Sequence, residues 1–225
     1  MFKQLLAVLA FFFAFNSLGQ QQHEALGNWI MYFGQNRITD RLSIHSEIQY
    51  RNHKAVPIHI EQLLLRTGVN VHFGKNTFGT VGYGFIASHD YESPETEAES
   101  TEHRIWQQFI ATQQMPHLKF EHRYRLEQRW VNSDYKNRFR YRLMMFIPLN
   151  NKFMEPKTWF LGIYDEIFVN DRQTYFDRNR LYIGAGYNFS KALNLQVGFL
   201  HQQTNQLGKR YLQFALTFNP DFRKD

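Results

Sequence analysis

The 225-residue sequence contains no cysteine. This absence excludes disulfide bridges, thiolate metal sites, cysteine nucleophiles and a lipidated cysteine at the start of a mature chain. Beyond the first residues, no apolar run approaches the roughly 18 residues that a membrane-spanning helix needs. Amphipathic helical spacing is also missing, because from Gly27 onward the apolar residues recur at every second position. The sequence therefore predicts an all-β protein.

The first residues have the organisation of a secretory signal peptide. A basic head, MFKQ, is followed by the apolar run LLAVLAFFFAF and by small residues before a cut at Gln20. The run is too short to span a membrane as a helix. We expect residues 1–19 to be a cleaved signal peptide and residues 20–225 to form a single β-barrel domain. A buried N-terminal helix is the alternative.

Aromatic residues are abundant, yet the sequence as a whole is hydrophilic. Phenylalanine, tyrosine and tryptophan make up 17% of the residues, while the mean hydropathy is −0.51. This combination indicates alternation of apolar and polar residues rather than apolar blocks. The net charge of +6 would also suit a protein that binds nucleic acid or an anionic surface. We expect no nucleic-acid partner, because the chain is predicted to be exported.

Eleven segments of about 10 to 15 residues show period-two alternation. In the clearest one, YLQFALTF, Leu212, Phe214 and Leu216 face one way, while Tyr211 and Gln213 face the other. Such segments are longer than the usual soluble strand of about five or six residues. The predicted strands are 27–36, 41–52, 60–73, 77–88, 102–114, 118–131, 136–147, 158–170, 180–189, 193–203 and 211–218.

The apolar faces of these strands are rich in aromatic residues near the strand ends, and the opposite faces carry charge. Aromatic girdles of membrane barrels have this distribution; the candidates are Trp29, Tyr50, Phe73, Trp130, Tyr135, Trp159, Tyr187 and Phe218. Short turns alternate with longer polar loops, as in outer-membrane barrels. We predict an antiparallel up-and-down transmembrane β-barrel with apolar faces outward and a charged lumen. A soluble secreted β-protein is the alternative.

Two details conflict with this prediction. Bacterial single-chain barrels nearly always have an even number of strands, so we expect ten or twelve. Either the segment around Trp29 does not span, or a further strand lies near 149–158. Asp165 falls on the lipid-facing side of its strand, and we expect a β-bulge near Asp165-Glu166 to correct its direction.

Arginines and glutamates dominate the faces that we assign to the lumen. The candidates for lining a solute site are Arg104, Glu121, Arg123, Arg125, Glu127, Arg129, Arg138, Arg140, Arg142, Glu166 and Arg180. The same faces also carry Arg41, His45, Glu47, Gln49, Arg51, Gln62, Arg66, Glu102, Gln108, Lys119 and Arg178. Together they contain twelve arginines, one lysine and five glutamates, which leaves a surplus of eight positive charges.

These residues have two possible roles. In the structural role, Arg–Glu pairs fill a narrow barrel with satisfied polar groups. In the functional role, arginines without a carboxylate favour anions in a water-filled path or pocket. Arg138, Arg140 and Arg142 are the best candidates for the second role, because no acidic residue stands beside them on their own strand. Glu121 and Glu127, across the hairpin, are placed to neutralise part of this charge.

Several short motifs follow one another along the chain: GNWIMYF, DRLSIHSEIQYR, EHRIWQQ, HRYRLEQRW, NRFRYRL, YDEIFVN, FDRNRLYIGAGY and GFLHQQ. In this combination the sequence resembles the bacterial family catalogued as domain of unknown function 2490, over essentially the whole mature chain. The resemblance implies an outer-membrane β-barrel without an established activity or catalytic residues. Its matching positions are Glu102, Arg104, Arg123, Glu127, Arg129, Arg138, Arg140, Glu166 and Arg180, all on the predicted lumen faces.

We expect no enzymatic activity, no cofactor and no metal site. A lipid-modifying barrel needs a serine beside a histidine on its outer surface. The outward pairs His103 with Gln107 and His122 with Gln128 have no serine at strand spacing. The remaining histidines are scattered, without a His-x-His pair on one face.

The leading functional hypothesis is a small channel or pocket for anionic or polar solutes, lined by arginines. The alternative is a plugged structural or partner-binding barrel without transport, and a lipid-modifying barrel enzyme is a third hypothesis. The expected partners are outer-membrane lipid, the barrel-insertion machinery and small anionic or polar solutes. The expected location is the outer membrane, reached after cleavage of the signal peptide.

Overall fold

The structure, a computed structural model, describes residues 26–56, 59–91, 98–172 and 174–223, so the predicted signal peptide lies outside it. No helix in these ranges is long and apolar enough to cross a membrane. The strands are β1 (Gly27–Arg37), β2 (Leu42–Asn52), β3 (Ile60–His72), β4 (Thr77–Ser88), β5 (Ser100–Met115), β6 (Leu118–Val131), β7 (Asp134–Pro148), β8 (Thr158–Asn170), β9 (Phe176–Asn188), β10 (Leu193–Gln203) and β11 (Gly208–Phe218).

These strands close into one barrel in which each strand lies beside its neighbours in sequence. Consecutive strands pair antiparallel, whereas β1 pairs parallel with β11, from Gly27 opposite Tyr211 to Gly34 opposite Phe218. The eleven predicted segments are confirmed. The expectation of ten or twelve strands is wrong, and so is a wholly antiparallel sheet. In an odd-numbered meander the first and last strands point the same way, and parallel hydrogen bonding closes them.

The connections form two rims, named here after the strand ends they contain. The connections from β2 to β3, β4 to β5, β6 to β7, β8 to β9 and β10 to β11 begin and end at the Gly27 rim, and the Phe218 rim holds residues 38–41, 73–76, 116–117, 149–157 and 189–192. Four of the five connections at the Phe218 rim have four residues or fewer, which confirms the prediction of a rim with short turns. At the Gly27 rim, Asn132 and Ser133 both have positive φ, as a two-residue type I′ turn requires.

Apolar side chains point outward, and most polar side chains point into the barrel. On β11, Phe214 and Leu216 are exposed on the outside, while Tyr211 and Gln213 are buried inside. Trp29 departs from the prediction, since it is only 3% exposed and packs against Tyr211 inside the barrel, with ring centroids 4.8 Å apart. Its assignment to an outer girdle is therefore wrong. Strand β1 is apolar on both faces, so alternation alone did not determine its direction.

Asp165 faces outward, but the β-bulge expected beside it does not form. The pairing of β8 with β9 is regular there, and the Asn179 side chain donates to both carboxylate oxygens of Asp165 at 3.1 and 3.2 Å. The register shift lies instead between Phe168 and Val169. A cross-strand amide therefore satisfies this outward carboxylate without any change in strand direction.

Inward-facing glycines make room for the largest side chains of the lumen. A Cβ atom at Gly82 would lie 2.5 Å from the Trp106 ring, and one at Gly186 would collide with Phe160. Trp106 and Phe160 are at most 1% exposed. The barrel interior is thus filled by paired small and large residues as well as by charge.

Candidate functional site

The barrel interior collects the eleven candidate residues on β5 to β9. Eight of them are at most 9% exposed, and the side chains of the other three, Glu121, Arg129 and Arg142, are at most 20% exposed. Arg41 departs from the prediction, because it lies in the exposed turn before β2 rather than on a lumen face. Strand alternation therefore located the candidates correctly wherever the strand itself is regular.

Glu127 is the most heavily paired carboxylate in the lumen. It is fully buried, and it accepts hydrogen bonds from Arg104 at 3.1 Å, from Arg138 at 2.7 and 2.9 Å and from Arg140 at 2.7 Å. Arg66 and Arg125 each place a guanidinium nitrogen 3.8 Å from it. Such convergence offsets the cost of burying one carboxylate among several cations.

Two further carboxylates extend this cluster along the barrel. Glu166 accepts from Arg123 at 2.7 Å and from Arg140 at 2.8 and 3.0 Å. Glu102 accepts from Arg104 and, in a bidentate arrangement at 2.7 and 2.8 Å, from Arg129. We call Glu102, Glu127 and Glu166 with their arginines the ionic network.

Arg138, Arg140 and Arg142 are not free of carboxylates. Arg138 and Arg140 belong to the ionic network, and Arg142 donates to Glu121 across the hairpin. The expectation that these three arginines carry the uncompensated charge is therefore wrong. Side chains on the neighbouring strands β6 and β8 supply the acids that β7 itself lacks.

Asp177 is a lumen carboxylate that the sequence analysis missed. At the register shift between β8 and β9, Phe168 pairs with Arg178 and Val169 pairs with Phe176, which leaves Asp177 as the extra residue. Arg138 and Arg178 both donate to Asp177, at 3.1 and 2.7 Å. A bulge allows two consecutive side chains to reach one face, so simple alternation could not place both.

Positive charge remains in excess after this pairing. The interior contains eleven arginines and seven carboxylates, counting Glu61, which accepts from the Tyr211 hydroxyl at 3.0 Å. Eight of the arginines lie within about 2.7 Å of a carboxylate oxygen. Side-chain amides hold the other three: Arg51 donates to Gln49 and Gln62, Arg125 to Gln108, and Arg180 to Gln202. Amide oxygens satisfy N–H groups but do not neutralise their charge.

A cavity of about 570 Å³ occupies the half of the lumen next to the Phe218 rim. Residues of that rim, including Lys75, Pro156 and Lys191, line its mouth, and Arg125 and Arg180 lie deeper. A second space of only about 60 Å³ lies among the network residues. The residues that line both spaces, and so separate them, are Arg51, Arg66, Arg140 and Arg180.

The lining of the large cavity is strongly cationic. Ten arginines and lysines but only four glutamates line it, a surplus of six positive charges. Four of the lining arginines each have a buried guanidinium nitrogen without a hydrogen-bond partner: Nε in Arg66, Arg123 and Arg142, and Nη1 in Arg125. Buried N–H groups without partners are costly, and the excess charge favours an anion there.

Of the candidates, the structure brings Glu121, Arg123, Arg125, Arg140, Arg142, Glu166 and Arg180 to the large cavity. Arg104, Arg129 and Arg138 line the small space instead, and Glu127 lies in the network between arginines. The cavity also has an apolar wall that the sequence pattern did not single out, formed by Met31, Phe33, Met144, Phe146 and Phe160. For Met144, Phe146 and Phe160 the strand position was a usable signal, because each shares its face with residues assigned to the lumen. Met31 and Phe33 share theirs with Trp29, whose predicted direction was wrong.

The outward histidines do not form the pairs considered for catalysis. Nδ1 of His122 lies 2.9 Å from the Tyr141 hydroxyl, and Gln128 accepts from Gln107 at 3.1 Å. His103 lies beside the Tyr83 hydroxyl. In the described ranges no group of three or more histidine, aspartate or glutamate side chains is arranged to hold a metal ion.

Fold and lumen together define a small closed β-barrel with an apolar exterior and an arginine-rich interior. The chain belongs to the protein family of unknown function DUF2490, whose model matches residues 26–213. No curated protein and no solved structure matches the chain.

Proposed function

We propose that the protein is an outer-membrane β-barrel that binds a small anionic solute in a pocket open at one rim. The observation that carries this proposal is the cavity of about 570 Å³ with six surplus positive charges. Its volume lies in the range of roughly 300–1,000 Å³ typical of small-molecule sites.

Membrane location is supported by the exterior surface. Phe109, Phe139, Trp159, Ile183 and Phe199 are each at least 42% exposed on the outside of the barrel. Soluble monomers rarely expose contiguous apolar patches of more than a few hundred Å², whereas lipid covers such a band in outer-membrane barrels. By the same comparison, the Phe218 rim with its short turns would face the periplasm.

A binding pocket accounts for the lumen better than a through-channel does. Between the large cavity and the Gly27 rim stand Glu127 and the arginines bound to it, all less than 8% exposed. An ion crossing the barrel would have to break several charge-assisted hydrogen bonds at once. Periplasmic anions would instead reach the pocket and stop at Arg125.

The first test separates a pocket from a channel. Purified, folded protein in planar bilayers should give no steady conductance, because the network closes the lumen. A steady anion-selective conductance would overturn the one-ended pocket and restore the channel hypothesis. Fractionation that leaves the processed chain soluble without detergent would overturn the membrane location.

The second test measures binding itself. Calorimetric titration of the detergent-solubilised protein with inorganic phosphate should show saturable binding that Arg125→Gln weakens by about tenfold or more. Arg172→Gln is the matched control, because the Arg172 side chain is 73% exposed outside the lumen. Folded protein that binds no small anion would favour the plugged barrel without a solute.

A further inference from the structure

We propose that the ligand of this pocket is an amphipathic organic anion, with its charged head group at Arg123, Arg125 and Arg142 and a nonpolar body against the wall formed by β1, β7 and β8. This inference rests on the proposed function and adds the class of ligand to it. The cavity has one cationic end and one apolar flank, and such an anion matches both.

The head-group end is a block of four arginines on two adjacent strands. Arg123 lies directly opposite Arg142, and Arg125 directly opposite Arg140, in the pairing of β6 with β7. Like charges in directly opposed positions destabilise a sheet unless something neutralises them. Glu166 and Glu121 serve three of these arginines, but Arg125 has only an amide as its close partner.

Contacts within the protein hold the Arg125 side chain in place without an anion. It is 4% exposed, and its Nε and Nη2 atoms donate to Gln108 at 3.1 and 2.7 Å. Its guanidinium lies 4.7 Å from the centroid of the Trp106 ring. Its Nη1 atom, 3.8 Å from Glu127, has no hydrogen-bond partner, and Nε of Arg123 and Nε of Arg142 lack one as well. All three arginines line the cavity, and guanidinium groups suit the oxygens of a phosphate or carboxylate.

The apolar flank lies on the same strands, nearer the Phe218 rim. Met144 and Phe146 follow Arg142 on the same face of β7, two and four residues further along. The Phe146 ring packs edge-on against the ring of Phe160 on β8, with centroids 5.8 Å apart. From β1, Met31 and Phe33 line the same cavity. Methionine and aromatic side chains in a water-accessible pocket suit a nonpolar body of variable shape.

An inorganic anion would use only the cationic end of this space. Burial of a ligand ring against Phe146 and Met144 removes apolar surface from water on both sides, so a ligand with a ring should bind more tightly than its head group alone. A neutral ring without the anionic group would leave the unpartnered guanidinium donors as they are, and should bind weakly.

The test compares three probes on the wild-type protein in lipid nanodiscs: inorganic phosphate, phenyl phosphate and phenol. We expect phenyl phosphate to bind about tenfold more tightly than phosphate, and phenol to show no saturable binding. Because this series needs no variant, it stands even if a substitution prevents folding. Phosphate binding without any gain from the ring would overturn this inference and leave the proposed function intact. Absence of binding by both phosphates would overturn both.

Two variants assign the gain to its residues. Phe146→Ser should remove most of the phenyl phosphate advantage and leave phosphate affinity within about twofold. Arg125→Gln should weaken both phosphates by about tenfold or more, while Arg172→Gln changes neither. If Phe146→Ser weakens both phosphates equally, the ring does not contact this wall and the assigned position of the body is wrong.

Discussion

The two halves of the lumen use the same residue type for opposite purposes. Next to the Gly27 rim, Arg104, Arg129 and Arg138 pair with carboxylates on adjacent strands, and only about 60 Å³ of space remains among them. Next to the Phe218 rim, Arg125 finds an amide and borders an open cavity. An arginine-rich strand face alone therefore does not show whether its arginines fill the barrel or border a binding cavity.

The number of carboxylates near the arginines determines whether a part of the lumen is filled by ion pairs or is available to bind an anion. Each network glutamate serves at least two arginines, which satisfies the guanidinium groups and holds neighbouring strands together. In the open half, Arg125 and Arg180 have side-chain amides as their close partners, and the cavity lining keeps a surplus of positive charge. Such a region is prepared to accept an anion from outside, because the surrounding structure already carries the cost of the unpaired charge.

The largest expected effect comes from removing the central carboxylate of the filled half. Glu127→Gln should lower the free energy of unfolding by about 3–5 kcal/mol, because Arg104, Arg138 and Arg140 would each lose one of their two carboxylate partners in a buried position. Denaturant titration of the protein in detergent micelles measures this change.

Glu121→Gln is the matched substitution in the open half. Glu121 and Arg142 form a single pair whose side chains are 19% and 20% exposed, so we expect a loss of about 1 kcal/mol or less. Equal losses for the two substitutions would mean that the halves do not differ in ionic packing.

Packing should differ between the halves in the same direction. A Cβ at Gly82 would meet the backbone oxygen of Thr67 and the ring of Trp106, neither of which can yield easily. A Cβ at Gly162, beside the cavity, would lie 2.9 Å from the flexible end of Met144. Gly82→Ala should therefore cost about 1–3 kcal/mol and Gly162→Ala less than about 1 kcal/mol. Thermal unfolding measures the stability loss of each variant, and a larger loss for Gly162→Ala than for Gly82→Ala would contradict this difference in packing.

The smallest expected effect lies outside the lumen, at an exposed ion pair. Arg223 donates to Asp221 at 2.6 Å and to Asp40 at 2.6 Å, and its hydrogen bonds lower the pKa of Asp221 to about 2. Arg223→Gln should raise the pKa of Asp221 toward the ordinary value of about 3.9. Because the folded-state pKa is depressed, any stabilisation is present above that ordinary value and disappears as the pH falls through about 2.

Carboxyl chemical shifts followed by NMR against pH measure this value directly. Because water screens this exposed ion pair, its contribution to stability is a reference for the contributions of the buried ion pairs. A marked loss of overall stability in Arg223→Gln would contradict the view that the buried network, rather than surface pairing, holds the barrel.

Much of the fold could be predicted from the period of the sequence. Strict alternation in segments such as YLQFALTF located the strands and the direction of Phe214 and Gln213, since a strand has only two faces. Closure could not be predicted this way, because nothing local in β1 or β11 records that they pair parallel. The strand number agrees with the eleven alternating segments and not with the rule that bacterial single-chain barrels have an even number of strands.

The candidate site could be predicted only in part. The alternation correctly predicted that Arg125 and Arg180 face the lumen. It could not predict which arginines pair with a carboxylate, because pairing depends on the register between strands. It also failed where the strand is irregular, as at Asp177, and where both faces are apolar, as at Trp29. The cavity itself arises from side-chain lengths around the whole ring.

The parallel junction of β1 with β11 has a consequence for topology. Chain that precedes Gly27 and chain that follows Phe218 depart from opposite mouths of the cylinder. If the cylinder crosses a bilayer, the two flanks belong to different compartments. A peptide tag before β1 would then be reachable by antibody on whole cells, while one after β11 would stay hidden until the envelope is broken.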